Sequence, residues 1–412
     1  MLLVVMLFGM AAALFVFGIV DTTALVLRRD QDTAAAFANV KQALIGWSVQ
    51  RTSSNALPNA RPGELPCPDI NPLDGYEDGS CAAGAIGRVP WKTLGIPEPK
   101  DSAGETLWYA IAGPFRIWSM SGTVINSDTK GNLTIYQNST ATAITTEAIA
   151  VVFAPGASLG TQNRDTAATA FCPTTGTTIA LNLCAANYLE TAAFVNNATP
   201  TANPPLAPAP SFISAPNSDT FNDKVMVITT ADLMPVVEQR VARELRTVLQ
   251  SYKAAVGAYP WADCTDGGSD FGSNRGRIPW QTALPVNWGS GGAPQLPGWV
   301  DPTNRGWFVN NSWSWVIYYS AGKNYLEGSG ASCSSCVNPT FLTVDGVSNK
   351  EVVLLTTAPA GASRPIGTPG DCQPTVYWPY YLEDPQNNDV SDDIYVTPSS
   401  TAYARDRIYT IP

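Results

Sequence analysis

The string GRVPWKTLGIP at 87–97 returns as GRIPWQTALP at 276–285, about 190 residues later. Gly-Arg-aliphatic-Pro-Trp is too specific to be produced by composition, so the reading of this echo decides the fold. Downstream of the first string lies DSAGETLWYAIAG, and downstream of the second lies NSWSWVIYYSAG. Both are rich in aromatic and β-branched residues and read as strands. AIAVVFAPGASLGTQNR is then matched by EVVLLTTAPAGASRP, NYLETAAF by YYLEDPQN, and SDTFNDKVMVIT by TAYARDRIYTIP. Landmarks recurring in one order make a duplication the best explanation.

A helix precedes each string. Before the second, Val237, Val241, Leu245, Val248, Tyr252 and Val256 stand three to four apart, an amphipathic helix with Asp232 as its N-cap and Pro235 in its first turn. Before the first, the chain carries no proline until Pro58. Residues 1–20 are uncharged and apolar; Leu25, Phe37, Val40, Leu44 and Trp47 (or Ile45) then recur at helical spacing. One helix from Met1 to about Arg51 would be roughly 75 Å long, and its first twenty residues would span roughly 30 Å, a bilayer core. The expected fold class is α+β: a long N-terminal helix plus two tandem modules, each a helix packed on an antiparallel sheet. The expected divisions are an apolar anchor at 1–27, a first module at 28–230 and a second at 231–412. NNATPTANPPLAPAPSFISAPNS at 196–218 reads as a Pro-rich surface insertion in the first module.

Composition narrows the function. Only 14% of the 412 residues are charged, low for a cytoplasmic protein, and the net charge of −10 would repel a phosphate backbone, so no nucleic-acid partner is expected. Histidine is absent, which excludes Ser-His-Asp and Cys-His sites. The remaining carboxylates are scattered, and the chain reads as a non-enzyme. The eight cysteines point to an oxidising compartment. Cys67–Cys81 and Cys172–Cys184 are expected as local bridges; Cys333–Cys336 and Cys264–Cys372 follow by elimination. The CxxC of Cys333 and Cys336 lacks a second CxxC or a histidine for zinc, and the Trp-Cys-Gly context of a thioredoxin-type site.

The apolar run MLLVVMLFGMAAALFVFGIV, continuing into VKQALIGW, resembles a type IV pilin or type II secretion pseudopilin. LPCPD…GRVPW…LWYAI is similar to large prepilin-like bacterial proteins over nearly the whole chain. The resemblance implies a basic leader removed ahead of Met1 and anchorage in the inner membrane before assembly. It further implies an extracellular filament on the bacterial surface, made with other copies or other pilin subunits through Met1, Leu2, Leu3, Leu7, Phe8, Leu14, Phe15 and Phe17. Pilins carry a glutamate early in the mature helix; positions 1–20 here hold no acid. That departure leaves a shaft or a tip position open.

Three further candidates come from the residues. Arg88, Pro90 and Trp91, with Arg277, Pro279 and Trp280, are expected to pack: the indole on the helix, the guanidinium on a carboxylate or a helix end. Asp69, Asn71, Asp74 and Asp78, bracketed by Cys67 and Cys81, are either a calcium-holding turn or solvated acidic turns, the latter the simpler reading. No other cofactor is expected. Trp288, Trp299 and Trp307 lie in a loop-like, Trp-rich stretch and are either core or a binding surface for glycans or a partner subunit, as in a tip adhesin.

Overall fold

The computed structural model describes residues 2–52, 60–70, 73–79, 81–82, 84–116, 124–137, 142–193, 195–199, 210–262, 274–278, 306–326, 341–357, 382, 384–387, 389, 392–397 and 406–412. The first helix, α1 (Leu2–Gln50), is continuous in its backbone, and its side chains are described from Ala24, except that of Val26. Nothing in 2–50 breaks it: the segment has no proline, and its second half is rich in alanine.

The chain divides into two compact units. The first comprises 1–46, 66–113 and 131–228; the second comprises 47–65, 114–130 and 229–412. In the first, β1 (Ile86–Arg88), β2 (Trp108–Ile111), β3 (Leu133–Gln137), β4 (Ala143–Ala154), β9 (Ser211–Ser214) and β10 (Lys224–Thr229) form one sheet. Its order is β1-β2-β4-β3-β9, with β10 also paired to β4. Two hairpins stand apart from it: β5 (Thr169–Cys172) with β6 (Thr177–Ala180), and β7 (Thr191–Ala192) with β8 (Val195–Asn196). Strand β4 supplies the centre of the core. Ala148 to Ala154 are buried on both faces, as a strand flanked on each side requires. Among the described side chains of α1 in this unit, Thr33, Val40 and Leu44 are buried, with Phe37 half-buried between them, a helical stripe.

The second unit holds α2 (Thr230–Val256), β11 (Arg275–Arg277), the short α3 (Gly306–Asn310), β12 (Ile317–Ala321), β13 (Leu342–Val344), β14 (Val347–Lys350), β15 (Val352–Thr356), β16 (Ile394–Tyr395) and β17 (Arg407–Ile411). The order β11-β12-β15-β17 makes a four-stranded sheet, and β14-β13-β16 a three-stranded one. Leu233, Val237, Val241, Leu245, Val248 and Tyr252 of α2 are buried, the amphipathic face read from the sequence. The cap differs from expectation. Thr229 is the N-cap, and its N–H and hydroxyl both donate to Asp232 Oδ2, at 2.9 and 3.0 Å. Starting the helix at Thr230 moves Pro235 past the first turn, where it removes one backbone hydrogen bond. Gly257 closes the helix at φ +86°, its N–H on the Lys253 carbonyl.

The echo is real at the level of strand pairing. Gly87 faces Tyr109 between β1 and β2, and Gly276 faces Tyr319 between β11 and β12, with Arg88 opposite Trp108 and Arg277 opposite Tyr318. A third strand follows in each, and then β10 or β17 pairs onto it. The predicted fold class is nevertheless overturned. The chain is strand-rich, and among the described residues only α1 and α2 are helices longer than five residues. The larger sheet is mixed, since β3 and β9 run parallel. The units are not consecutive modules, because 47–65 and 114–130 belong with the second. Among the described residues no helix is long and apolar enough to cross a membrane. The short Val-, Ile-, Thr- and Tyr-rich runs between Gly and Pro turns favour many brief strands over repeated helix-on-sheet layers.

The Pro-rich tract is corrected as well. Its end, Ser211–Ser214, is strand β9, with Phe212 and Ile213 fully buried, and its start belongs to β8. Asn197, within an Asn-x-Thr triplet, is itself buried; its side chain bonds the N–H and carbonyl of Ile213 at 2.8 and 3.0 Å. Residues 200–209 lie outside the described set.

Candidate functional site

The best candidate is the stretch of α1 that precedes its packed positions. Every side chain described from Ala24 to Asp32 is exposed, Leu25 and Leu27 at 57% each. Thr33 is buried, and its Oγ1 accepts the Ser102 N–H at 3.2 Å. Asp30 pairs with Lys224. The helix is therefore held at Asp30 and Thr33 and packed through Val40 and Leu44. Leu25, expected on the packed stripe, is off it. Met1, Leu2, Leu3, Leu7, Phe8, Leu14, Phe15 and Phe17 fall where side chains are not described, although the backbone from Leu2 is helical.

The acidic loop is closed by the Cys67–Cys81 disulfide, and Cys172–Cys184 closes the second expected bridge. Two local bridges fit an oxidising setting, extracellular or periplasmic. Cys264, Cys333, Cys336 and Cys372 lie outside the described residues. Within the loop the carboxylates are turned onto its own backbone. Asp69 Oδ2 accepts the Gly75 N–H at 2.9 Å, Asp74 Oδ1 that of Tyr76 at 2.9 Å, and Asp78 Oδ2 that of Ile70 at 2.8 Å. Burial, helped by the Asp74 and Asp78 charges and opposed by the Gly75 N–H, pushes Asp69 up to about 6. Among the described residues no three acidic or cysteine side chains are grouped to hold a metal ion, and Asn71 is outside them. The placed carboxylates thus brace the loop, Asp74 as an Asx-turn and Asp69 and Asp78 across it.

Gly87 has no room for a side chain: a Cβ there would lie 2.5 Å from the Asp69 carbonyl oxygen. Asp69 and Arg88 exchange backbone hydrogen bonds at 2.9 and 2.8 Å across this approach. The glycine of the echoed string is thereby explained. Both arginines of the string lie on aromatic rings. The Arg88 guanidinium is 5.3 Å from the Tyr188 ring and donates to its hydroxyl at 3.0 Å; that of Arg277 is 4.6 Å from the Trp315 ring. Pro90 is buried. Trp91 is half-exposed, and its ring lies against Gly75 of the disulfide loop. Pro279 and Trp280 are outside the described residues, as are Trp288 and Trp299. Trp307 is 3% exposed, beside Phe308 and beneath Arg240, so it is core and offers no binding face.

Sequence reasoning missed the buried acids. In the second unit Glu238 is fully buried on α2, paired with Arg407 at 2.5 Å and accepting from Thr356 Oγ1 at 3.2 Å. Burial pushes its carboxyl up, and Arg407 pulls it down. Arg240 donates to the Arg51 carbonyl at 2.7 Å and to that of Val49, capping the last turn of α1. A repeated signal marked two other acidic pairs: YLE…ND in the first unit and YLE…RD in the second. Glu190 N–H donates to Asp223 Oδ2 at 3.0 Å, and Asp384 N–H to Asp406 Oδ2 at 3.4 Å, so each motif ends in an aspartate that holds the earlier turn.

Comparison with protein-family models, with characterised proteins and with solved structures returned no match for this chain.

Proposed function

We propose that this chain is a structural subunit of an exported, type IV pilus-like filament, assembled by burying the N-terminal part of α1 against other copies or other subunits of its kind. One observation carries the reading: α1 is a continuous helix from Leu2, and its described side chains ahead of Thr33, Leu25 and Leu27 among them, are exposed. A 2–29 helical segment is about 40 Å long. Its sequence is uncharged and apolar through residue 20. Left in water, such a surface favours association. The proposed site before assembly is the inner membrane, and the final one is the bacterial surface. A duplicated strand core accounts for the two matching strand registers. Shaft and tip positions are both compatible with the missing early acid.

The test is to produce the full chain in a filament-forming host as wild type and as Leu25→Asp with Leu27→Asp. The account expects the variant to fold, with an unchanged far-ultraviolet circular dichroism spectrum, and to be absent from sheared surface filaments. Normal incorporation of the variant would refute it.

A further inference from the structure

The first unit brings two carboxyl groups together in its interior. Glu190 precedes β7 and Asp223 precedes β10; they are 8% and 2% exposed. Glu190 N–H donates to Asp223 Oδ2 at 3.0 Å, and the N–H groups of Asn222 and Asp223 donate to Glu190 Oε2 at 2.9 and 3.2 Å. Gln162 Nε2 reaches Glu190 Oε1 at 2.7 Å, and Asn197 Nδ2 reaches Asp223 Oδ2 at 3.0 Å. Each carboxyl group thus accepts from the backbone N–H of the other residue, which sets the two side chains side by side.

All these donors are neutral. The charged groups nearby are engaged elsewhere: Arg164 with Glu105 and with Gln162 Oε1, Lys224 with Asp30, and Arg88 with the Tyr188 hydroxyl. Asp223 Oδ1 is buried and has no donor. Two carboxylates in a low-dielectric interior, without a cation between them, repel strongly and are each poorly solvated. A buried acceptor beside a second acid lacks one hydrogen, and a proton supplies it.

We propose that Glu190 and Asp223 hold one proton between them at neutral pH, and that this shared proton is a latch joining the turn before β7 to the start of β10. Asn197 extends the latch to β9, because the same side chain that donates to Asp223 also brackets Ile213. Burial and the Glu190 charge push the Asp223 carboxyl well up. An acid raised in the folded state binds its proton more tightly there than when unfolded. The latch is therefore complete at low pH and loosens as pH rises above the ordinary carboxylate range and through the raised value of Asp223.

The experiment uses the full chain, its Asp223→Asn variant and its Glu190→Gln variant. Infrared difference spectra at neutral pH are expected to show a protonated carboxyl band in the wild type that Asp223→Asn abolishes. Hydrogen exchange, corrected for intrinsic rates and referenced to Val151 of β4, is expected to lose protection at Glu190, Ile213 and Asp223 by up to about tenfold per pH unit across the titration. Each variant puts an amide hydrogen in place of the proton and should flatten that dependence. Absence of the band with flat wild-type exchange would overturn the proposal. So would protection that rises with added calcium ion and collapses with chelator, since a cation would then balance the pair.

Discussion

Leu44→Ala and Leu27→Ala remove the same atoms from one helix, yet the structure assigns them opposite costs. Leu44 is fully buried against the first unit, whereas Leu27 is 57% exposed ahead of the grip at Asp30 and Thr33. Truncating a buried leucine loses its transfer free energy and leaves a cavity, about 2–5 kcal/mol. A leucine that keeps most of its surface in water costs within about 0.5 kcal/mol. The difference is at least about 1.5 kcal/mol, more than a tenfold change in the folding equilibrium. Urea unfolding of both full-length variants, followed by circular dichroism with the slope held common, measures it. Filament incorporation supplies the converse readout, with Leu27→Ala losing more than Leu44→Ala among molecules that fold. Equal destabilisation by the two, or a larger loss from Leu27→Ala, would refute the placement of the helix seat.

Gly87→Ala should destabilise by about 1–3 kcal/mol, since its Cβ would meet the Asp69 carbonyl. Gly46→Ala, with open space around it in α1, should stabilise by roughly 0.5–1 kcal/mol; thermal melts compare the two. Arg407→Met strands the buried Glu238 carboxylate and should cost about 3–5 kcal/mol, with much of it recovered when Glu238→Met is added, as a double-mutant cycle would read. Asp69, raised to about 6, contributes a stability that is complete below its ordinary value and declines as pH rises through about 6. Asp69→Asn should remove that slope from the pH profile of the melting temperature. Reducing Cys67–Cys81, which closes a loop of 14 residues, should cost about 3 kcal/mol in the chain-entropy description, measured with Cys67→Ser and Cys81→Ser together.

What the sequence revealed depended on how local the controlling interaction is. The Gly-Arg string marked two strand registers because each sets an arginine on an aromatic ring, and at Gly87 a crossing backbone excludes any side chain, which leaves a short, recognisable signature. The spacing of Val237, Val241, Leu245 and Val248 marked a helix face because period and burial coincide. Both described disulfides were legible because each closes a short loop. The parallel pairing of β9 was hidden, since SFIS is four residues long and follows a proline-rich tract. The interleaved units were hidden too, because short segments such as 114–130 carry no boundary signal of their own. Glu190 and Asp223 stand 33 residues apart; the repeated YLE…ND pattern marks the residues, but only the fold shows that they meet.

The central claim is that the N-terminal segment of α1 is an assembly element. Cryo-electron microscopy of filaments sheared from producing cells, with mass spectrometry of their subunits, tests it most directly. The account predicts this chain in the filament, with the helix of residues 2–29 buried against neighbouring subunits at the axis. Filaments that lack the chain, or that carry it with this helix exposed at the surface, would contradict it.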